Sequence, residues 1–466
     1  MAAPDFIARL AAICGKENVA SGIDLSERRG LFHGNAAAFV KPGSTEEVSA
    51  VVRLAADLKM PIVPYGGNTG LVGGQTPEGL DNAIVISLAR MDKVRALDPD
   101  GNTLIIDAGA TLATARRAAE SVDRLFPLSL ASEESCTIGG NLATNAGGLA
   151  VLAYGSARDL VLGLEVVLAD GRIWNGLRTL RKDNTGYDLK HVFTGSEGTL
   201  GIITAAALKL FARPRSVATV LAGVPSPDSA LALFRRARTE AGPDVTAAEL
   251  IPCFGIGLAA KKLGVPLPLK AQHDWYVLLE LSSVSASGLD DILFRIVNGA
   301  RVDGDIADSV TAGSPEAREK LWAYREIMSD AQGLAGASIK HDVAVPVKDV
   351  PAFIRAATKA ALAAVPGCRP CPFGHLGDGN IHFNVTQPES MDAESFIARW
   401  DAMNAAVHEV VKSFNGSIAA EHGIGRLKRD LLPGIKSETE LDLMRALKTA
   451  LDPDNQLNPG VLLHKR

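Results

Sequence analysis

Apolar and polar residues alternate over 381–385 (Ile-His-Phe-Asn-Val), the period of a β-strand, which puts His382 and Asn384 on one face and Ile381, Phe383 and Val385 on the other. The same reading predicts a helix from the capping box at Ser44 to about residue 58, and a strand over 62–65. Strands follow at 83–88 and 104–108 around a turn at Asp100-Gly101, then a helix over 112–122. Strands 164–169 and 172–174 form a hairpin turning at Asp170-Gly171. After Pro214 the pattern changes to strands at 217–224, 246–251 and 275–281 with helices at 227–240 and 289–302, a β-α-β-β-α-β-like series. A helix over 314–329 carries Trp322, Arg325 and Ser329, the last two on one face at four-residue spacing, and a strand over 339–345 carries Lys340, His341 and Asp342. Helices at 350–364 and 393–414 flank the alternating stretch, and a last helix over 441–451 ends before Asp452-Pro453.

Three glycine-rich blocks interrupt this pattern in the first half. The first, Gly66-Gly67-Asn68-Thr69-Gly70-Leu71-Val72-Gly73-Gly74, offers bare backbone N–H groups to an anion, yet matches neither a Walker loop nor the dinucleotide fingerprint. The second, from Ser135 to Gly148, sets Thr137, Asn141, Thr144 and Asn145 among small residues, a surface suited to a long, flat, polar-edged ligand. The third runs from Asp183 to Asp188 and resumes at Gly195-Ser196-Glu197-Gly198-Thr199. Three such blocks, each at a strand edge, suit one large cofactor wrapped by several loops.

The second half carries the acid–base chemistry. His375 and His382 stand seven apart around Gly377-Asp378-Gly379, and Glu421-His422 adds a carboxylate and a third imidazole beside glycines. His375, His382 and Glu421 make a His₂Glu set for a divalent metal, zinc being the first guess, with His422 left as a base. The plain alternative is a set of scattered hydrogen-bonding histidines, because no tight H-x₃-H spacing is present. Cys368-Arg-Pro-Cys371 is a single C-x-x-C without a second pair, best read as coincidence, and Arg325 and Lys340 taken singly are equally surface charges.

Composition narrows the class. A chain of 466 residues with 47% hydrophobic and 22% charged residues fits a soluble globular protein of about three domains. A formal charge of −5 gives no nucleic-acid footprint, and no 18-residue apolar run predicts a membrane span. Five scattered cysteines, with no signal-peptide pattern at the N-terminus, fit reduced thiols in a cytoplasmic protein.

In their order and wording these blocks resemble flavoproteins of the vanillyl-alcohol-oxidase type, from about residue 43 to 460. The likeness is tightest from Asn145-Ala-Gly-Gly-Leu149 to Thr204, including Gly163-Leu-Glu-Val-Val-Leu-Ala-Asp-Gly171 and Leu180-Arg-Lys-Asp-Asn-Thr-Gly-Tyr-Asp-Leu189. Within that family the chain looks like the D-2-hydroxyglutarate dehydrogenase group, with D-lactate dehydrogenases and the glycolate oxidase subunit as neighbours. The resemblance implies an α+β fold: a two-part FAD-binding domain over 1–214, a substrate (cap) domain with an antiparallel sheet over 215–420, and a C-terminal helical segment over 421–466 returning to the site. It implies FAD, with the pyrophosphate on Gly66, Gly67, Asn68, Thr69 and Gly70. The flavin and ribityl chain would run along Ser135, Thr137, Ile138, Gly139, Asn141, Thr144, Asn145, Gly147 and Gly148. Gly198 and Ile203 would lie near the adenine side and Asn458 near the flavin; Asn68 stands where covalent members place a histidine, so the FAD should be non-covalent.

By the same resemblance His375, His382 and Glu421 would bind zinc, His422 would be the base, and Arg325, Ser329, Lys340 and Asn384 would face the substrate. Ser329 stands where similar enzymes often carry Thr. The expected reaction is oxidation of a D-2-hydroxy acid to the 2-oxo acid, the hydride passing to flavin. Two cations, Arg325 and Lys340, favour a dicarboxylate such as D-2-hydroxyglutarate. A D-lactate, broad-range or glycolate-oxidase-like enzyme is the alternative, and an O₂-using oxidase stays open. Expected partners are the small acid, an acceptor such as electron-transfer flavoprotein or a quinone-linked carrier, and in assembly a homodimer. A zinc hydrolase would share the His₂Glu set but needs no glycine blocks; a non-catalytic flavin subunit would keep the blocks and lose the histidines.

Overall fold

The computed structural model describes residues 4–464, and its contacts divide the chain into two compact units. The first comprises the chain to Gly148, Tyr154–Arg213 and Glu421 onward; the second comprises Leu149–Ala153 and Pro214–Ala420. No helix among the described residues is long and apolar enough to cross a membrane.

The first unit holds two principal sheets. One is four-stranded, in the order Val19–Ser26, His33–Val40, Ile84–Ser87, Ile62–Tyr65, and mixes antiparallel and parallel pairs. Helices Pro4–Cys14 and Thr45–Asp57 bury Phe6, Leu10, Val48, Val51 and Val52 against Ile62, Ile84 and Ile86 in one cluster. Thr45–Asp57 starts where the sequence placed it, with Ser44 Oγ accepting from Glu47 N at 3.2 Å. The other sheet is five-stranded and antiparallel: Val94–Asp98, Thr103–Asp107, Ile202–Lys209, Val161–Val167 and Ile173–Gly176. The C-terminal tail lies beside the end strand of the mixed sheet, Asn458 N donating to Ile62 O at 2.7 Å.

The second unit is built on one eight-stranded sheet in which neighbouring strands all pair antiparallel. Its order is Asp308–Thr311, Ser216–Val224, Trp275–Ser283, Val245–Pro252, Arg369–His375, Asn380–Thr386, Ser338–Ile339, with Asp342–Ala344 also on Asn380–Thr386. Val350–Ala364 packs on one face through the Phe353–Phe383 edge contact at 5.9 Å. Cys253–Leu263 and Pro315–Glu326 cover the other, in a cluster joining Ile256, Leu321, Trp322, Ile251, Leu278 and Phe373.

Several sequence expectations change here. Cys253–Leu263 is an additional helix, so the series alternates strand and helix; its short apolar run reads equally as strand. The helix over 314–329 ends at Glu326 and a second, Met328–Ala331, follows. Arg325 and Ser329 therefore share no helix face: Arg325 is buried and Ser329 exposed. The strand over 339–345 breaks at Lys340-His341, and the helix over 393–414 is two helices, Ala393–Ile397 and Trp400–Ser413.

Candidate active site

Cross-strand register gathers the chemistry of the second unit. Residues opposite one another in an antiparallel pair share a face, and the pairs Glu249–His375, Phe373–His382, Cys371–Asn384 and Asp342–His382 put them all on the face covered by Pro315–Glu326. Glu249 sits at the centre. His375 Nδ1 donates to its Oε1 at 2.7 Å and Arg325 Nε to its Oε2 at 2.6 Å. All three side chains are buried. Burial pushes the Glu249 carboxyl up, but the facing His375 and Arg325 outweigh it and hold the group well below the usual carboxylate range. The Arg325 guanidinium also lies 5.1 Å over the Phe373 ring, and the His382 ring centroid lies 5.2 Å from that of Phe373.

Glu249 was not picked out in the sequence. The available signal was a carboxylate inside an otherwise apolar strand, Ala247-Ala248-Glu249-Leu250-Ile251. A second such acid, Glu280, accepts from Trp322 Nε1 at 2.7 Å and from Arg318 Nε at 2.6 Å. Arg318 and Arg325 are seven apart, two helical turns, so one helix is fastened to the sheet by two ion pairs.

The remaining substrate-facing candidates fall nearby but in different settings. Lys340 Nζ, exposed, donates to Ser329 O at 3.0 Å and lies 3.4 Å from its Oγ. Asn384 is buried and donates to Gln332 Oε1 at 2.7 Å. The His375 and His382 ring centroids are 5.7 Å apart, and His382 Nδ1 lies 4.0 Å from Asp342.

In the first unit the glycine blocks meet. A Cβ on Gly67 would stand 1.8 Å from Ser135 O, and one on Gly66 would stand 2.8 Å from Thr137 Oγ1, so only glycine permits this backbone approach. The polar side chains of the second block are engaged locally. Thr137 caps the helix Ile138–Ala143, Thr144 Oγ1 donates to Gly140 O at 3.0 Å, and Asn141 Nδ2 lies 3.6 Å from Cys136 Sγ. Asn145, at φ 51°, accepts from Ser156 Oγ and Arg158 N, both at 2.9 Å. Asn68 is held likewise, donating to Ser26 O and accepting from Gln75 Nε2. What these blocks present to a ligand is therefore chiefly backbone. Gly198 turns at φ 71°, and Ile203 is buried in the five-stranded sheet.

Asn458 differs. Its Nδ2 donates to Gly74 O and Glu197 O, both at 2.9 Å, while its buried Oδ1 has no hydrogen-bond partner among the described residues. A buried acceptor left unpaired destabilises by about 1–3 kcal/mol, so this oxygen could accept from a ligand's N–H or O–H donor. Glu421 accepts from Gly148 N at 3.0 Å, and His422 Nε2 stands 3.8 Å from Glu421 Oε1.

A family profile described as "FAD linked oxidases, C-terminal domain" matches residues 213–462, and one described as "FAD binding domain" matches 36–176. The chain belongs to the FAD-linked oxidases, and it is a FAD-dependent oxidoreductase. Similar proteins include a mitochondrial D-2-hydroxyglutarate dehydrogenase of Bos taurus, 39% identical over 92% of this chain and 77% of that one. A D-2-hydroxyglutarate dehydrogenase of Stutzerimonas stutzeri is 34% identical over 91% and 90%. A D-2-hydroxyglutarate–pyruvate transhydrogenase of Saccharomyces cerevisiae is 36% identical over 92% and 86%. The fold matches alkyldihydroxyacetonephosphate synthase (TM-score 0.75, 18% identity, 98% of this chain and 86% of that one). It also matches p-cresol methylhydroxylase (TM-score 0.74, 16% identity, 99% and 96%).

Proposed function

We propose that the chain oxidises D-2-hydroxyglutarate to the 2-oxo acid. The observation that carries this reading is the Arg325–Glu249–His375 arrangement, a guanidinium held by one edge on the face that also bears His382 and Asn384. Arg325 spends Nε on Glu249, and its terminal nitrogens take no hydrogen bond among the described residues, so they suit a substrate carboxylate. Lys340 and Ser329 would take the second carboxylate, and Asn384 a polar edge. Glu249 balances the charge of Arg325, so selection for a dicarboxylate rests on hydrogen-bond geometry there and on charge at Lys340.

FAD, when bound, is the hydride acceptor; Asn458 Oδ1 and the backbone of the glycine blocks would hold it, non-covalently because Asn68 offers no nucleophile. A divalent metal on His375, His382 and Glu421 would act as a Lewis acid on the substrate hydroxyl. The donor chemistry fits: Glu249 engages His375 Nδ1, directing Nε2 to a ligand role, as an outer carboxylate does in metal sites. His422 removes the hydroxyl proton as general base.

The acceptor is read as electron-transfer flavoprotein or a quinone-linked carrier. The relative named as a transhydrogenase supports a second reading, in which a 2-oxo acid such as pyruvate reoxidises the flavin. The five free cysteines support a cytoplasmic location, whereas the Bos taurus relative is named mitochondrial. The test is anaerobic bleaching of the yellow protein by D-2-hydroxyglutarate and by D-lactate, each with and without chelator. Bleaching by the dicarboxylate that chelator abolishes is expected. Equal bleaching by lactate moves the substrate to the D-lactate or broad-range class, and a colourless protein after FAD reconstitution overturns the reading.

A further inference from the structure

His422 sits in a stretch with no helix or strand of its own: between Ser413 and Arg429 the chain forms only turns, bends and one isolated bridge. An imidazole on such a segment keeps its position only through tertiary anchors. On its N-terminal side Gly148 N donates to Glu421 at 3.0 Å, Ala420 N to Asp342 O at 3.4 Å and Ser417 N to Ala344 O at 2.8 Å. On its C-terminal side there is Glu197. Its Oε1 accepts from Ile424 N and its Oε2 from Gly425 N, each at 2.8 Å, so one buried carboxylate grips two successive backbone amides. The opposite side of that turn is held by Val72 O, which accepts from Arg426 N at 2.8 Å.

Glu197 is itself tied into the cofactor-binding blocks. Its N–H donates to Ala143 O at 2.8 Å and its carbonyl accepts from Asn458 Nδ2 at 2.9 Å. It adopts φ 52°, a left-handed conformation that non-glycine residues seldom keep without surrounding support. Gly423 completes the fit, since a Cβ there would stand 2.8 Å from Glu197 Oε1.

We infer that Glu197 is a positioning residue, fixing the base-bearing segment 421–425 to the framework that holds the cofactor through its paired hydrogen bonds to Ile424 and Gly425. The inference rests on the reading of His422 as the base. One buried carboxyl group satisfies two successive backbone N–H donors here, and its loss leaves both donors buried and unsatisfied. An amide in its place turns an N–H toward one of those donors.

The test compares Glu197→Gln with His422→Ala in the FAD-loaded enzyme, reading FAD content, kcat, KM and amide hydrogen exchange over 421–428. For Glu197→Gln we expect retained FAD, a kcat lower by about 10- to 100-fold with little change in KM, and faster exchange at Ile424 and Gly425. If Glu197→Gln does not fold, Gly423→Ala presses on the same carboxylate from the other side and carries the same readouts. Normal kcat, unchanged exchange, or loss of FAD and fold in both variants overturns the inference. Near-normal turnover in His422→Ala overturns the base reading instead, and the exchange data still report on the anchor.

Discussion

His375 Nδ1 donates to Glu249 at 2.7 Å, and the same carboxylate takes Arg325 Nε at 2.6 Å, so one buried acid orients a candidate metal ligand and a candidate substrate ligand together. Replacing Glu249 should disturb both. Glu249→Gln leaves a buried cation uncompensated and should destabilise the fold by about 3–5 kcal/mol. Metal affinity should fall about 10- to 100-fold, because the support to His375 is lost. Thermal melts and competition with a chromogenic chelator measure the two effects separately.

His422 is the base in the proposed reaction. His422→Ala should keep the flavin absorbance and lower the rate of anaerobic flavin reduction by about 10²- to 10⁴-fold. Stopped-flow mixing with D-2-hydroxyglutarate measures that rate; a wild-type rate would remove His422 from the mechanism.

Arg325 and Lys340 should separate by stability. Arg325→Lys replaces a fork by a point charge at a buried site, so KM for D-2-hydroxyglutarate should rise and the melting temperature fall. Lys340 is exposed, so Lys340→Ala should raise KM for the dicarboxylate with stability changed by no more than about 0.5 kcal/mol. An equal KM effect on D-lactate in either variant would count against dicarboxylate recognition.

Asn458 joins Gly74 and Glu197 through Nδ2, while its Oδ1, unpaired among the described residues, is proposed to accept from FAD. Asn458→Ala should weaken FAD retention by about 10-fold, the equivalent of one good hydrogen bond. It also places alanine at φ 45°, so some loss of stability accompanies it. The ratio of flavin to protein absorbance after gel filtration reads the first effect.

Burial pushes the Glu197 carboxyl up to about 7, against the pull of the Ile424 and Gly425 amides and of Lys428. The folded chain therefore binds this proton more tightly than the unfolded chain, in which the group titrates near its ordinary 4.5. Stability from this group is full below about 4.5 and is lost as pH rises through about 7. The total loss is on the order of 3 kcal/mol, from about 1.4 kcal/mol per pH unit. Denaturant unfolding across that range should show the slope, and Glu197→Gln should flatten it.

Local pattern carried much of the fold. Ser44 and Glu47 marked a helix start, the Ile381–Val385 alternation marked its strand, and Pro227 and Leu289 opened helices where the pattern changed. These features are read over one or two turns, the range at which backbone propensity and side-chain period act. The glycine blocks and the histidine stretch likewise carry the family in their own residues. What the sequence could not determine depends on partners distant in the chain. Glu249 meets His375 across 126 positions and Glu197 meets Gly425 across 228, so neither acid is set apart locally from any other. Arg325 and Ser329 separate because the helix ends between them, where tertiary packing overrides the four-residue spacing. The polar side chains of the second glycine block turn to their own backbone, because a short polar group satisfies the nearest buried amide or carbonyl first, and tertiary structure alone decides which atoms remain for a ligand.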